Sequence, residues 1–219
     1  HLDHALHDHL NAEVVAKSIE SQSEAMDWIT YSFFYLRLRQ NPNYYNMQGR
    51  SNMHVSDHLS ELIETVLGDL EESKCVAVEG DGVVSPLNLG MLSSYYYVLY
   101  TTIELFANSL KRKHRLRPIM ELLSSASEFD DLAVRRKESG ELQLLSNHMP
   151  HKLEKPAFND PHVKTNLLLQ AHLSRISLKE DLAKDQMVIV QKALPLLYAM
   201  VDVIAANSWL KVALSCMEL

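Results

Sequence analysis

The densest set of metal-competent side chains lies in the first nine residues: His1, Asp3, His4, His7, Asp8 and His9. On a helix, His4 and Asp8 would share a face at i,i+4, and such a pair can ligate a borderline metal. The alternative is a solvated acidic-histidine segment near a chain end. We adopt the alternative and expect no metal site. A second grouping is cationic: Lys111, Arg112, Lys113, Arg115 and Arg117 put five fixed positive charges into seven positions around His114. Such a run can grip phosphates or an acidic partner. It can equally sit at a helix C-terminus, where cations offset the macrodipole and stay in water, and this structural reading is preferred. Arg135-Arg136-Lys137 is read the same way. Lys111, Arg112, Lys113, Arg115 and Arg117 remain the candidates for contact with nucleic acid or a partner, together with Gln191 and Lys192 farther along.

Tyr95-Tyr96-Tyr97 and Tyr100 could stack bases. Consecutive helical residues point about 100° apart, so they cannot form one platform, and core packing is the expected role. Tyr44-Tyr45 reads as a loop anchor, and Trp28 and Trp209 as core. Nucleotide, redox and hydrolase signatures are missing: no G-x-x-x-x-G-K-[ST], no C-x-x-C, no H-E-x-x-H and no G-x-S-x-G. No catalytic residue is therefore expected. Cys75 and Cys216 cannot build a disulfide framework and read as buried thiols of an intracellular protein.

The elements that would position these groups follow from periodicity. Ser21-x-x-Glu24 has capping-box spacing ahead of an apolar run to Leu38, which predicts one helix over about 24–40, stopped at Asn41-Pro42. Asp57 can cap a helix of about 57–73 bearing Leu59, Leu62, Ile63, Val66, Leu67 and Leu70. Two β-like runs, 75–78 and 83–87, flank Gly80-Asp81-Gly82, the chemistry of a hairpin turn. Helix, helix, then hairpin predicts a winged helix over 1–87. A helix of about 88–110 follows, with further helical stretches near 117–127, 137–147, 160–176 and 180–208. Asp160-Pro161 supplies a cap and first position, and Pro195 should kink the last helix. The fold class is mainly α: a winged helix with a small β-hairpin, then a helical bundle over 88–219.

Composition agrees. Of 219 residues 47% are hydrophobic, and six glycines with seven prolines favour long helices over a turn-rich barrel. A net charge of −7 argues against autonomous nucleic-acid binding, though a local patch can escape that average. No uninterrupted apolar run approaches the roughly 18 residues of a membrane span, so no membrane partner is expected. The start on His1-Leu2-Asp3-His4 lacks a signal peptide, and the end at Met217-Glu218-Leu219 falls inside a helical pattern. We expect a segment of a longer polypeptide.

Four stretches, taken in order and spacing, resemble one family. They are Asn11-Ala12-Glu13-Val14-Val15, Asn41-Pro42-Asn43-Tyr44-Tyr45-Asn46, Leu87-Asn88-Leu89-Gly90-Met91 running into Tyr95-Tyr96-Tyr97, and Phe158-Asn159-Asp160-Pro161-His162-Val163-Lys164 through Arg175. The sequence resembles, along nearly its whole length, the large Ski-two-like RNA helicases of the spliceosome, the two-hundred-kilodalton type of the U-five small nuclear ribonucleoprotein. The resemblance implies a winged helix plus the helical bundle that opens a Sec-sixty-three-type unit. The second and fourth stretches look more like the C-terminal cassette, which in the family regulates the active first cassette and docks splicing factors.

It also implies a nuclear location and a ratchet-like helix at about 185–207. ATP and Mg²⁺ would sit in RecA-like domains of the parent, with no cofactor in this segment. The implied partners are other domains of the same helicase, spliceosomal proteins and, as a candidate, RNA. Related sequences carry arginine where Pro195 stands and glycine where Ser208 precedes Trp209, a departure that weakens a channel-gripping role. The leading expectation is a non-catalytic scaffold and regulatory segment. Alternatives are an RNA-contacting part of a motor-competent cassette, or the equivalent segment of the activating signal cointegrator complex helicase. A free winged-helix transcription factor ranks last, because Asp57, Glu61, Glu64, Asp69, Glu71 and Glu72 would repel DNA.

Overall fold

The structure, a computed structural model, describes residues 5–41, 44, 52–206 and 217, and only the backbone of Asn52 and Glu180. Expectations for His1, Asp3, His4, Pro42, Asn43, Tyr45, Asn207, Ser208, Trp209 and Cys216 lie outside the described residues. The chain divides into two compact units, His1–Tyr95 and Tyr96–Leu219.

In the first unit, α1 (Leu6–Val15) buries Leu6, Leu10, Asn11 and Val14. The histidine-rich start is thus in part a packed helix rather than a solvated tail, and the His7 ring meets the Asp69 carboxylate at 2.8 Å. The helix expected over 24–40 is two helices, α2 (Gln22–Thr30) and α3 (Phe33–Gln40). Ser21 caps the first as its spacing predicts, accepting from the Glu24 N–H at 3.2 Å. Ser32 breaks the run. Its backbone is extended and its hydroxyl donates to the Ile29 carbonyl at 2.6 Å, closing one helix while its oxygen caps the next.

α4 (Asn52–Glu72) starts five residues before the expected Asp57 cap, because buried Val55 extends the apolar stripe of Leu59 and Ile63 by one turn. Strands β1 (Val76–Val78) and β2 (Val84–Pro86) form the expected antiparallel hairpin, with Val78 opposite Val84 and Gly82 at φ +83° in the turn. The chain before α2 adds to this edge: Gln22 N–H donates to Gly82 O at 2.9 Å and Val84 N–H to Glu20 O at 2.8 Å. Exposed Asp57, Glu61, Glu64, Glu71 and Glu72 give α4 the acidic face that the sequence implied.

The helix expected over 88–110 is also two, α5 (Asn88–Tyr96) and α6 (Tyr100–Ser109). Tyr97 takes a left-handed conformation at φ 54°. Glu128 secures the restart, since its carboxylate accepts from the Leu99 N–H at 2.8 Å and from the Thr102 hydroxyl at 2.7 Å. Thr102 is fully buried. Glu128→Ala leaves the proton of that hydroxyl without its acceptor, although its oxygen still accepts from the Ser127 N–H at 3.0 Å, and chemical denaturation should show a loss of about 1–3 kcal/mol.

The second unit continues with α7 (Leu116–Ser124), a short 3-10 turn (Ser127–Phe129), α8 (Ser139–His148), α9 (Pro161–Leu173) and α10 (Glu180–Ala206). Asp160 caps α9 by accepting from the His162 N–H at 2.8 Å, with Pro161 in the first turn as expected. α9 is the centre of the bundle: every residue from Lys164 to Ala171 is buried, and α7, α8 and α10 pack on it. α10 runs through Pro195 as one helix, burying Leu182, Ile189, Ala193, Leu196, Met200 and Val203.

α10 also corrects one expectation. By length and composition alone, Asp181–Ala206 is apolar enough to cross a membrane. Counting uninterrupted runs missed it because Lys184, Asp185, Lys192 and Asp202 punctuate the helix. One face of the helix packs on α9, α6 and α7, while Met187, Val188, Leu194 and Tyr198 stay exposed.

Candidate functional site

α9 carries polar side chains into the bundle, and each of those described here finds a partner. The Asn166 amide donates to Ser124 Oγ at 3.1 Å. The Gln170 amide donates to His151 O and Asn166 Oδ1, at 2.9 and 2.8 Å, and its own oxygen accepts from the His151 N–H at 2.9 Å. His162 sets one ring nitrogen 2.9 Å from Ser124 O and the other 3.0 Å from Asp130. The innermost group is Lys164, with no exposed surface. Its ammonium donates to Ala133 O at 2.8 Å, Glu138 Oε2 at 2.7 Å and Asp185 Oδ2 at 2.6 Å, which uses all three of its protons. Arg135 closes the group by pairing with Glu138 and with Asp185, the latter at 2.7 Å. Burial alone would raise both carboxyls. The hydrogen bonds and charges of Lys164 and Arg135 outweigh it and hold Glu138 and Asp185 below the ordinary carboxylate range.

The basic run lies in the α6–α7 connection. α6 ends at Ser109, and its last turn holds no cation. Lys111 directly follows the Leu110 C-cap, as the preferred reading expects, and Lys111–His114 form a turn closed by His114 N–H to Lys111 O at 3.0 Å. Arg115 and Arg117 fall instead at the N-terminal end of α7, whose first turn has no acid. Arg117 pairs with Glu121 at 2.8 Å and reaches Glu154 at 3.8 Å. Lys111, Arg112, Lys113 and Arg115 are exposed. Gln191 and Lys192 have other neighbours. Lys192 donates to Glu128 O at 2.8 Å, and Gln191 lines an apolar cleft of about 340 Å³ with Met120, Leu123, Leu169, Val190 and Leu194.

Comparison with known proteins matches the architecture. The family model described as Sec63 Brl domain covers residues 86–219, and one described as winged helix-turn-helix domain covers residues 1–80. The chain belongs to the Sec63 Brl domain family. Similar proteins include the U5 small nuclear ribonucleoprotein 200 kDa helicases of Homo sapiens and Drosophila melanogaster, each 54% identical over the whole chain. An activating signal cointegrator 1 complex subunit 3-like protein of Dictyostelium discoideum is 50% identical, also over the whole chain. In each case the chain spans about 10% of the relative's length.

Within this Sec63 Brl bundle, sequence reasoning missed the Lys164 cluster. Arg135 was grouped with Arg136 and Lys137 as one basic run, but Arg135 is the member committed to Glu138 and Asp185. The usable signal was Lys164 itself, a lone cation one helical turn before Leu167-Leu168-Leu169. A charge at that spacing on an apolar helix must find a buried counter-charge or be neutralised.

Proposed function

We propose that this chain is a non-catalytic scaffold and regulatory segment of a spliceosomal ATP-dependent RNA helicase, from its C-terminal cassette. On this reading residues 1–87 form the winged helix, and residues 88–219 form the opening bundle with a ratchet-like helix within α10. The observation that carries it is similarity along the entire chain to proteins named as 200 kDa helicases, joined to a bundle whose innermost charges brace α10. Phosphoryl transfer needs a positioned lysine, Mg²⁺ ligands and an arginine finger. Lys164, the buried lysine, has all its protons engaged by the fold. ATP and Mg²⁺ belong on this reading to RecA-like domains of the parent, and the location is nuclear. Its partners are the other helicase domains and spliceosomal proteins.

Purified as the 219-residue chain, it should show no RNA-stimulated ATP hydrolysis under conditions where an intact parent helicase turns over. Hydrolysis abolished by substitutions within the chain would overturn the proposal. A second reading, the equivalent segment of an activating signal cointegrator helicase, draws on the 50% identity to the Dictyostelium protein. Co-purification of the tagged parent from its own cells with U5 particles, or with the cointegrator complex, separates the two.

A further inference from the structure

We infer that the α6–α7 turn is an RNA-backbone tether: Lys111, Arg112, Lys113 and Arg115 hold the phosphates of a single strand without reading its bases. These four cations crowd a tight turn closed by the Lys111 carbonyl and the His114 N–H, all exposed. Among the described residues no carboxylate pairs with any of them, whereas neighbouring Arg117 is paired with Glu121 and Glu154.

Only Lys111, next to the C-cap of α6, gains from a helix dipole. Like charges at adjacent positions repel, and those beside α7 lie at the positive end of its dipole with no acid in the first turn. In a chain of net charge −7, an unneutralised cationic point that works against local stability marks a surface for an external anion.

The composition of the turn selects among polyanions. A protein partner needs an apolar centre, and protein interfaces are depleted in lysine. The residues flanking the exposed cations are Leu110, which is buried, and Leu116, which is half-buried. The one ring in the turn, the His114 imidazole, is partly buried with its Nδ1 turned inward and offers no open face to a base, so recognition stops at phosphate. Anion binding stands on the geometry. The choice of RNA rests on the helicase reading above.

The test is fluorescence anisotropy of a labelled, unstructured oligouridine with the whole chain across a range of KCl concentrations. One variant carries Lys111→Gln, Arg112→Gln, Lys113→Gln and Arg115→Gln. A control of equal net charge carries Lys17→Gln, Arg136→Gln, Lys155→Gln and Lys184→Gln, all exposed cations elsewhere. Circular dichroism melts establish that both are folded.

The expected result is wild-type binding that weakens with salt at a log–log slope of about −0.7 per phosphate held, roughly −2 to −3 here. The turn variant should lose at least about tenfold in affinity and most of that slope. The control should stay near wild type. Absence of salt-dependent binding overturns the proposal, as does equal loss in both variants. A polyglutamate chain that binds the turn more tightly than the RNA overturns it in favour of an acidic protein. None of these results bears on ATP turnover, so the scaffold reading fails or survives separately.

Discussion

Lys164→Met is expected to destabilise the helical bundle by about 3–5 kcal/mol, because it leaves two carboxylates facing one another with half their compensation gone. Lys164 Nζ lies 2.7 Å from Glu138 and 2.6 Å from Asp185, and Arg135 alone remains to neutralise both. Arg135 is half exposed and cannot refill the buried position of the Lys164 ammonium. Equilibrium denaturation of the whole chain measures the loss. Adding Glu138→Gln and Asp185→Asn to the variant should recover part of it, since the stranded charge is then removed. A cost under about 1 kcal/mol for the single change would show that water enters the cluster, as it does around surface pairs.

The same cluster sets the response to acid. Glu138 and Asp185 are depressed in the folded protein. Their contribution is fully present above the unfolded carboxyl range of about 4 and is lost as pH falls through the lower folded values. Wild-type stability should therefore drop on acidification below about pH 4. In Lys164→Met the depression is relieved in part, so the remaining acid dependence moves to higher pH. Denaturation midpoints taken from pH 3 to 7 read both effects; unchanged acid profiles would remove the ion cluster as their source.

The second large effect concerns Gly90 on α5. A Cβ there would come within 3.0 Å of the Cys75 carbonyl oxygen and carbon and of Asn11 Oδ1. Two of these three atoms are backbone, and the third belongs to a buried side chain whose amide donates to Gly90 O at 3.0 Å. The Cys75 carbonyl also accepts from the Leu87 N–H, which ties it to the end of the hairpin. Nothing can retreat cheaply, so Gly90→Ala should cost the winged-helix unit about 3 kcal/mol, the upper end for overpacking. Gly68 is the internal comparison. It lies within α4 with open space around it, and Gly68→Ala should stabilise by about 0.5–1 kcal/mol through helix propensity. Amide hydrogen exchange in the first unit would resolve the opposite signs, and equal effects at the two sites would refute the packing argument.

What could be read from the sequence was whatever short-range chemistry decides. Ser21 with Glu24, Asp160 with Pro161, and Gly80-Asp81-Gly82 each fix a boundary by contacts within a few residues, and each is found as expected. The breaks at Ser32 and Tyr97 escaped because apolar periodicity continues straight across them. A partner distant in sequence, Glu128, secures the second restart. The start of α4 was misplaced because Asp57 looks like a cap in isolation, although Val55 already belongs to the buried stripe.

The candidate site was legible only as composition. The basic run and the helix end before it were visible; that Arg115 is the N-cap of α7 and Arg117 lies in its first turn, at the positive end of a second dipole, was not. Lys164 was in plain view, yet its significance depends on Glu138 and Asp185, which only the packed bundle brings to it.

The pairing of Glu20 and Gln22 with Val84 and Gly82 has a bearing on biosynthesis. A nascent chain leaving the ribosome carries Glu20 long before Val84 has been translated. α1, which packs on β2, must wait with part of its apolar face uncovered until the hairpin emerges. During that interval the segment is a natural client for chaperones, and a pause in translation before Val84 would prolong its exposure.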